Sequence, residues 1–205
     1  MPNFIDGYFK FKNDVYPKKE VLFETLSHGQ SPEALFITCA DSRIETAMLT
    51  QTGPGDLFVC RNAGNIVPAH DDFTDGMSAS IEYAVAALKV PHVVVCGHSG
   101  CGAMAGAMSP EGLDALPMVK DFLCQCDSAV DYVKTHAGDR SKAEKMDMLI
   151  EQNVLLQLDN LRSYPSVATR LSDGDLTLHG WVYDIRSGGV KAYDAASGEF
   201  SALNA

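Results

Sequence analysis

Short apolar runs that alternate with helical patterns most constrain the fold of this 205-residue chain. Strands are predicted at 35–38, 57–60, 93–96 and 176–182, with a further short run around 190–193. The clearest helical pattern runs from 146 to 161, where apolar residues recur every three or four positions. Continuous apolar strands that alternate with helices are typical of a mostly parallel sheet. We therefore predict an α/β fold with a central, mostly parallel sheet of four strands plus one short edge strand, and with helices on both faces.

A single domain spanning 1–205 is expected, because the chain shows no internal repeat, low-complexity tract or linker. Residues 1–29 precede the first strand and have the pattern of one or two amphipathic helices, with Val21, Leu22 and Leu26 as apolar contacts. We predict that this segment is an N-terminal helical arm that packs on a partner subunit.

Charge and hydropathy exclude several classes of partner. The net charge of -11 and the pI near 4.8 repel phosphate backbones and anionic lipid, so nucleic acid is not an expected partner. No apolar stretch approaches the roughly 20 residues that a membrane-spanning helix needs. The first residues lack the pattern of a secretory signal, so a cytoplasmic location is expected.

Two short motifs directly follow two of the apolar runs. Cys39-Ala40-Asp41-Ser42-Arg43 comes after ALFIT, and His98-Ser99-Gly100-Cys101 comes after HVVVCG. The carboxyl ends of the strands in a parallel sheet open into one crevice, so both motifs face a single site if their strands are neighbours.

Cys39, His98 and Cys101 carry the side chains that zinc prefers, and three protein ligands with an open fourth position are typical of a catalytic zinc site. The six scattered cysteines favour reduced thiols or metal ligands over disulfides. Two thiolates offset the charge of the ion, so a bound water needs help from a neighbour to lose its proton. We predict one zinc ion per subunit.

Asp41 and Arg43 can supply that help. The guanidinium of Arg43 can keep the carboxylate ionised while one carboxylate oxygen accepts a hydrogen bond from metal-bound hydroxide. Asp41 can alternatively swing onto zinc as a fourth ligand and close the site. Asp41 is therefore predicted to be a catalytic residue and a metal ligand, with Arg43 as its catalytic partner.

Two other interpretations come from different functional classes. In the first, Cys39 and Cys101 belong to a non-catalytic zinc-binding or redox-sensing module, but a purely structural zinc site is usually closed by four protein ligands and would not need the neighbouring pair. In the second, the glycines of 97–102 bind a nucleotide, but their spacing departs from the dinucleotide fingerprint.

The two motifs, joined by GDLFVCRNAGNIV and SIEYAV, resemble the β-class carbonic anhydrases. The similarity spans most of the chain, from Gly29-Gln30-Ser31-Pro32, a context closer to the plant-type branch, to LHGWVYD at 178–184. The resemblance implies a zinc-dependent carbonate dehydratase, a lyase that converts CO2 reversibly to bicarbonate and a proton by zinc-bound hydroxide. The nearest alternative is a hydrolase of CS2 or COS that uses the same zinc site.

The resemblance also assigns roles that the residues alone do not indicate. Gln30 matches the residue that donates a hydrogen bond to an oxygen of CO2 or bicarbonate. Phe58 and Tyr83 match the apolar walls of a narrow substrate pocket that forms across a dimer interface. A homodimer is therefore expected, and a tetramer or a larger assembly of such dimers is the alternative.

One departure from the family concerns regulation. Some bacterial members have a second, inhibitory bicarbonate site built from a tryptophan, an arginine and a tyrosine. Arg61 and Tyr183 match the last two, but Phe36 stands at the tryptophan position.

Overall fold

The computed structural model describes residues 3–70 and 74–204. The chain divides into two compact units, Met1–Ser31 and Pro32–Ala205, which we call the arm and the body.

The arm is helical, as predicted. It comprises α1 (Asn3–Lys10), a π turn (Phe11–Val15), a 3-10 turn (Tyr16–Lys19) and α2 (Glu20–Ser27). The ring of Phe23 stacks on Tyr16, with centroids 5.2 Å apart, and meets the edge of Phe11 at 5.9 Å. None of the described arm residues is buried, and the side chains of Phe4 and Val21 are 75% and 77% exposed. Its packing on a partner subunit stays a prediction.

The described residues of the body form one sheet of six strands: β1 (Ala34–Cys39), β2 (Leu57–Asn62), β3 (His92–His98), β4 (Thr177–Tyr183), β5 (Val190–Asp194) and β6 (Glu199–Ala202). Their order is β2-β1-β3-β4-β5-β6. The first four strands pair in parallel, β5 pairs antiparallel with β4, and β6 pairs antiparallel with β5. The five predicted strands are all present, within two residues of their predicted bounds. The sixth strand was not predicted, because its four residues are mostly exposed and only Phe200 is half-buried.

Seven helices of the described body cover the sheet and its carboxyl edge: α3 (Thr46–Thr50), α4 (Gly76–Glu82), α5 (Gly102–Met108), α6 (Pro117–Leu123), α7 (Asp127–His136), α8 (Lys142–Arg162) and α9 (Pro165–Ser172). Helix α8 contains the predicted 146–161 pattern. It begins four residues earlier because Ser141 and Glu144 form a capping box that satisfies two free N–H groups.

The sheet has a different cover on each face. Residues of α4, α8 and α9 pack on one face in the largest apolar cluster, which includes Leu35 and Val95. On the other face, Leu49 of α3 packs with Phe36 and Trp181. Within the described ranges, no helix is long and apolar enough to cross a membrane.

Candidate metal centre

The carboxyl ends of two adjacent parallel strands bring the two sequence motifs together. Cys39 is the last residue of β1 and His98 is the last residue of β3, and these strands are hydrogen-bonded neighbours. Cys101 follows in the turn before α5. The ligand atoms of the three buried residues all lie within 4.8 Å of one another, and the two sulfurs are 4.0 Å apart.

The ring of His98 is oriented by the residue that follows it. Its Nδ1 lies 3.0 Å from the carbonyl oxygen of Ser99. Because a carbonyl only accepts, Nδ1 carries the proton and Nε2 presents a lone pair. That Nε2 is buried and has no hydrogen-bond partner in the described part of the chain. A buried polar atom of this kind is costly unless a ligand satisfies it.

Ser99 is itself held at three points. Its N–H donates to the carbonyl of Tyr183 at 2.9 Å, and its hydroxyl donates to the carboxylate of Asp184 at 3.0 Å. The same hydroxyl accepts the N–H of Ile185 at 3.0 Å. The end of β4 therefore supports the turn that aims His98.

The two thiols near His98 share a hydrogen bond, with their sulfurs 4.0 Å apart. A hydrogen bond from Cys101 lowers the pKa of Cys39 well below that of a free thiol, and the N–H of Gly64, which donates to Cys39 Sγ at 3.3 Å, acts in the same direction. The bond with Cys39 and burial raise the pKa of Cys101. Two soft sulfurs and one imidazole lone pair around a single buried point fit Zn²⁺, which Cys39, His98 and Cys101 would hold with both thiols ionised.

A carboxylate and a guanidinium lie beside these three ligand atoms. Arg43 donates from Nε to Oδ1 of Asp41 at 2.9 Å and from Nη2 to Oδ2 at 2.7 Å, and its backbone N–H also donates to Oδ1 at 2.9 Å. These bonds hold the pKa of Asp41 far below its usual range, so the carboxylate is ionised. Arg43 is anchored in turn by the carbonyl of Gly100 at 3.0 Å. Oδ2 of Asp41 lies 3.8 Å from Nε2 of His98.

Arg61 holds the backbone that carries this pair. Its guanidinium donates to three carbonyl oxygens: those of Cys39 at 3.0 Å, Asp41 at 2.8 Å and Ile44 at 2.8 Å. No local sequence pattern indicates this role, because the three acceptors are backbone carbonyl oxygens that any residues would supply. Phe36, the residue that stands at the tryptophan position of the inhibitory bicarbonate site, is buried. Its ring meets that of Trp181 edge-on, with centroids 6.0 Å apart.

Of the three residues assigned to the substrate pocket, two belong to the body and one belongs to the arm. Phe58 and Tyr83 contact each other, with ring centroids 6.0 Å apart. Phe58 packs against the largest apolar cluster, and 49% of Tyr83 is exposed. Gln30 belongs to the arm, where it is exposed.

Comparisons with known proteins give one consistent result. A family model described as carbonic anhydrase matches residues 34–190. A carbonic anhydrase of Pseudomonas aeruginosa is 49% identical over 203 residues, which cover 99% of this chain and 92% of that relative.

Solved structures agree with the sequence matches. The β-carbonic anhydrase CcaA superposes with a TM-score of 0.96 at 41% identity, covering 99% of this chain and 92% of that one. One of two tetrameric β-carbonic anhydrases from the ascomycete Sordaria macrospora superposes with a TM-score of 0.74 at 32% identity, covering 93% of this chain and 91% of that one.

Proposed function

This chain belongs to the β-class carbonic anhydrases, which hydrate CO2 reversibly to bicarbonate, and we propose that its Cys39, His98 and Cys101 hold one zinc ion per subunit. The observation that carries the proposal is the convergence of three buried ligand atoms within 4.8 Å, one of them Nε2 of His98, which has no hydrogen-bond partner among the described residues. The non-catalytic and nucleotide-binding interpretations have no support from these relatives.

Bound zinc would supply a Lewis acid that makes water nucleophilic near neutral pH. The residues of this chain orient that water. Arg43 keeps Asp41 ionised and fixes the direction of its carboxylate. Oδ2 of Asp41 can therefore accept a hydrogen bond from a water beside His98. In a closed form, Asp41 would leave Arg43 and take the fourth ligand position instead.

Phe58 and Tyr83 are proposed to line the apolar side of the CO2 pocket, and Gln30 to donate a hydrogen bond to a substrate oxygen. An apolar wall suits CO2 because the molecule has no net charge or hydrogen to donate, while a single amide donor suits the oxygen that gains charge as bicarbonate forms.

The proposed assembly is a homodimer or a larger assembly of such dimers. The arm exposes large apolar side chains and buries none of its described residues, which suits a segment that packs on a second subunit. The tetrameric relatives from Sordaria macrospora are consistent with this. A cytoplasmic location is also proposed, since all six cysteines, each within the described ranges, are free thiols.

Zinc analysis combined with stopped-flow CO2 hydration tests the proposal. We expect one zinc per chain in the parent protein, and we expect Asp41→Asn and Arg43→Ala to keep that zinc while losing about 100-fold or more in kcat, the size of a lost proton-transfer partner. The matched control is Arg162→Ala, which breaks a surface ion pair with Asp159.

Each outcome has a distinct meaning. A parent protein without stoichiometric zinc would contradict the metal assignment, and parental rates in both dyad variants would contradict the role of Asp41 and Arg43. The same assay with CS2 and COS as substrates measures the alternative hydrolase activity.

A further inference from the structure

Three amide side chains line the core-facing side of α8. Asn153 and Gln157 are buried, at 1% and 0% exposure, and Asn160 is half-buried. Their i, i+4, i+7 spacing places them on one face of the helix. Buried amides are costly unless they are hydrogen-bonded, so their partners indicate what they do.

All three amides bind the loop that follows β2, residues 63–68. Asn153 donates from Nδ2 to the carbonyl of Gly64 at 3.0 Å. Gln157 accepts the N–H of Val67 at 2.8 Å, and Asn160 donates to the carbonyl of Val67 at 2.8 Å. Gln157 also donates to Oδ1 of Asn153 at 2.8 Å, which turns the NH2 group of Asn153 toward Gly64.

Gly64 links this row of amides to the metal centre. Its carbonyl is held by Asn153, and its N–H donates to the sulfur of Cys39 at 3.3 Å. Its φ is +83°, and a Cβ built on it would lie 2.9 Å from Cε of Met104, so only glycine fits without strain. The peptide groups on both sides of Gly64 are therefore fixed, one by α8 and one by the thiol.

We propose that Asn153 is a positioning residue that holds the N–H of Gly64 on the sulfur of Cys39, and so strengthens metal retention. The inference rests on the proposed function, in which Cys39 is a zinc ligand. An N–H directed at a thiolate makes a charge-assisted hydrogen bond that stabilises the ionised ligand and fixes its direction. Asn160 contacts the same loop three residues farther along, so it stabilises the loop without orienting Gly64.

The test compares Asn153→Leu with the matched control Asn160→Leu in the intact, zinc-loaded protein. Zinc release to excess chelator is expected to be about 10–100-fold faster in Asn153→Leu, the usual effect of losing a partner that orients a metal ligand. Asn160→Leu is expected to release zinc at the parental rate. Both variants are also loaded with Co²⁺, because the energy of the thiolate-to-cobalt charge-transfer band reports how strongly the sulfur donates electrons. Loss of the N–H donor is expected to move this band to lower energy in Asn153→Leu alone.

A purely structural role for Asn153 gives a different result. It would lower the urea midpoint of the protein but leave the cobalt band and the rate of zinc release unchanged, and this outcome would overturn the inference. Equal shifts in the Asn160→Leu control would overturn it as well. If Asn153→Leu does not fold, Asn153→Ala takes its place, since its smaller side chain likewise has no N–H for Gly64. A parent protein that shows no thiolate-to-cobalt band would instead contradict the proposed metal site itself.

Discussion

Gly97, the residue before His98 in β3, leaves no room for a side chain beneath α8. A Cβ built on it would lie 3.0 Å from Cγ2 of Val154 and 3.1 Å from Cγ2 of Ile150. Both side chains are almost fully buried, at 0% and 2% exposure, and close-packed interiors give way only slightly. We therefore expect Gly97→Ala to push β3 and α8 apart.

The size of the effect follows from two opposing contributions. Overpacking a core by one carbon costs about 1–3 kcal/mol of unfolding free energy. Replacing glycine restricts the unfolded chain and returns about 0.4–1 kcal/mol. A net loss of about 1–2 kcal/mol corresponds to a fall of about 0.5–1 M in the urea midpoint, for a slope of ~2 kcal/mol per M.

Two further glycines make the assay specific. A Cβ built on Gly180 in β4 would meet the same helix, at 2.9 Å from Cδ1 of Leu158 and 3.0 Å from Cγ1 of Val154. Gly180 pairs with Val95, however, and is not adjacent to any of the three proposed ligand residues. A Cβ on Gly112 would meet nothing within 4 Å. We expect lower urea midpoints for Gly97→Ala and Gly180→Ala, faster zinc release for Gly97→Ala alone, and no loss for Gly112→Ala.

Urea unfolding is measured at one protein concentration and with saturating zinc, because subunit assembly and metal binding both raise apparent stability. A parental or higher midpoint for both strand variants would refute the packing argument. Equal zinc release from the two would refute the claim that β3 transmits the strain to His98.

Three other expectations follow from the fold. Ser141→Ala removes the side-chain cap of α8 and should cost about 1 kcal/mol of unfolding free energy, measured by urea unfolding; an unchanged midpoint would contradict the capping role. Burial and the neighbouring His92 lower the pKa of His179, so the folded state takes up this proton less readily than the unfolded state and loses stability as pH falls below about 6.5. His179→Gln should flatten that loss in unfolding midpoints between pH 7 and 5, and an identical slope would contradict it. Arg61→Met should lower kcat without abolishing zinc binding, because the 39–44 backbone loses its three charged donors; hydration rates and zinc content check this, and a parental kcat would count against it.

Much of the site could be predicted from local sequence signals. The apolar runs located five of the six strands of the described sheet. The signal is clearest for β1 and β3, because burial on both faces of a parallel sheet leaves a continuous apolar pattern. The side-chain chemistry of Cys39, His98 and Cys101 indicated a metal, and their positions after two strands indicated a shared edge. These inferences needed only the period of the strand and the preferences of zinc.

The tertiary structure decided which groups support those ligands. Asn153 and Gln157 interrupt the apolar face of α8, and a polar residue at a core position is a signal that something must bind it. The partner itself was not predictable, because Gly64 lies 89 residues from Asn153 in the chain. The strand β6, with one half-buried residue, gave no periodic signal at all.

Sequence alone therefore determined the residues that can bind metal and the strand ends where they stand, since both depend on side-chain chemistry and local periodicity. Only the folded chain decided how those residues are oriented, through the carbonyl of Ser99, the guanidinium of Arg61 and the N–H of Gly64. Two of these three are backbone groups, which nearly every residue carries, so their roles depend on position in space. The glycine at 64 marks only the backbone conformation at that point.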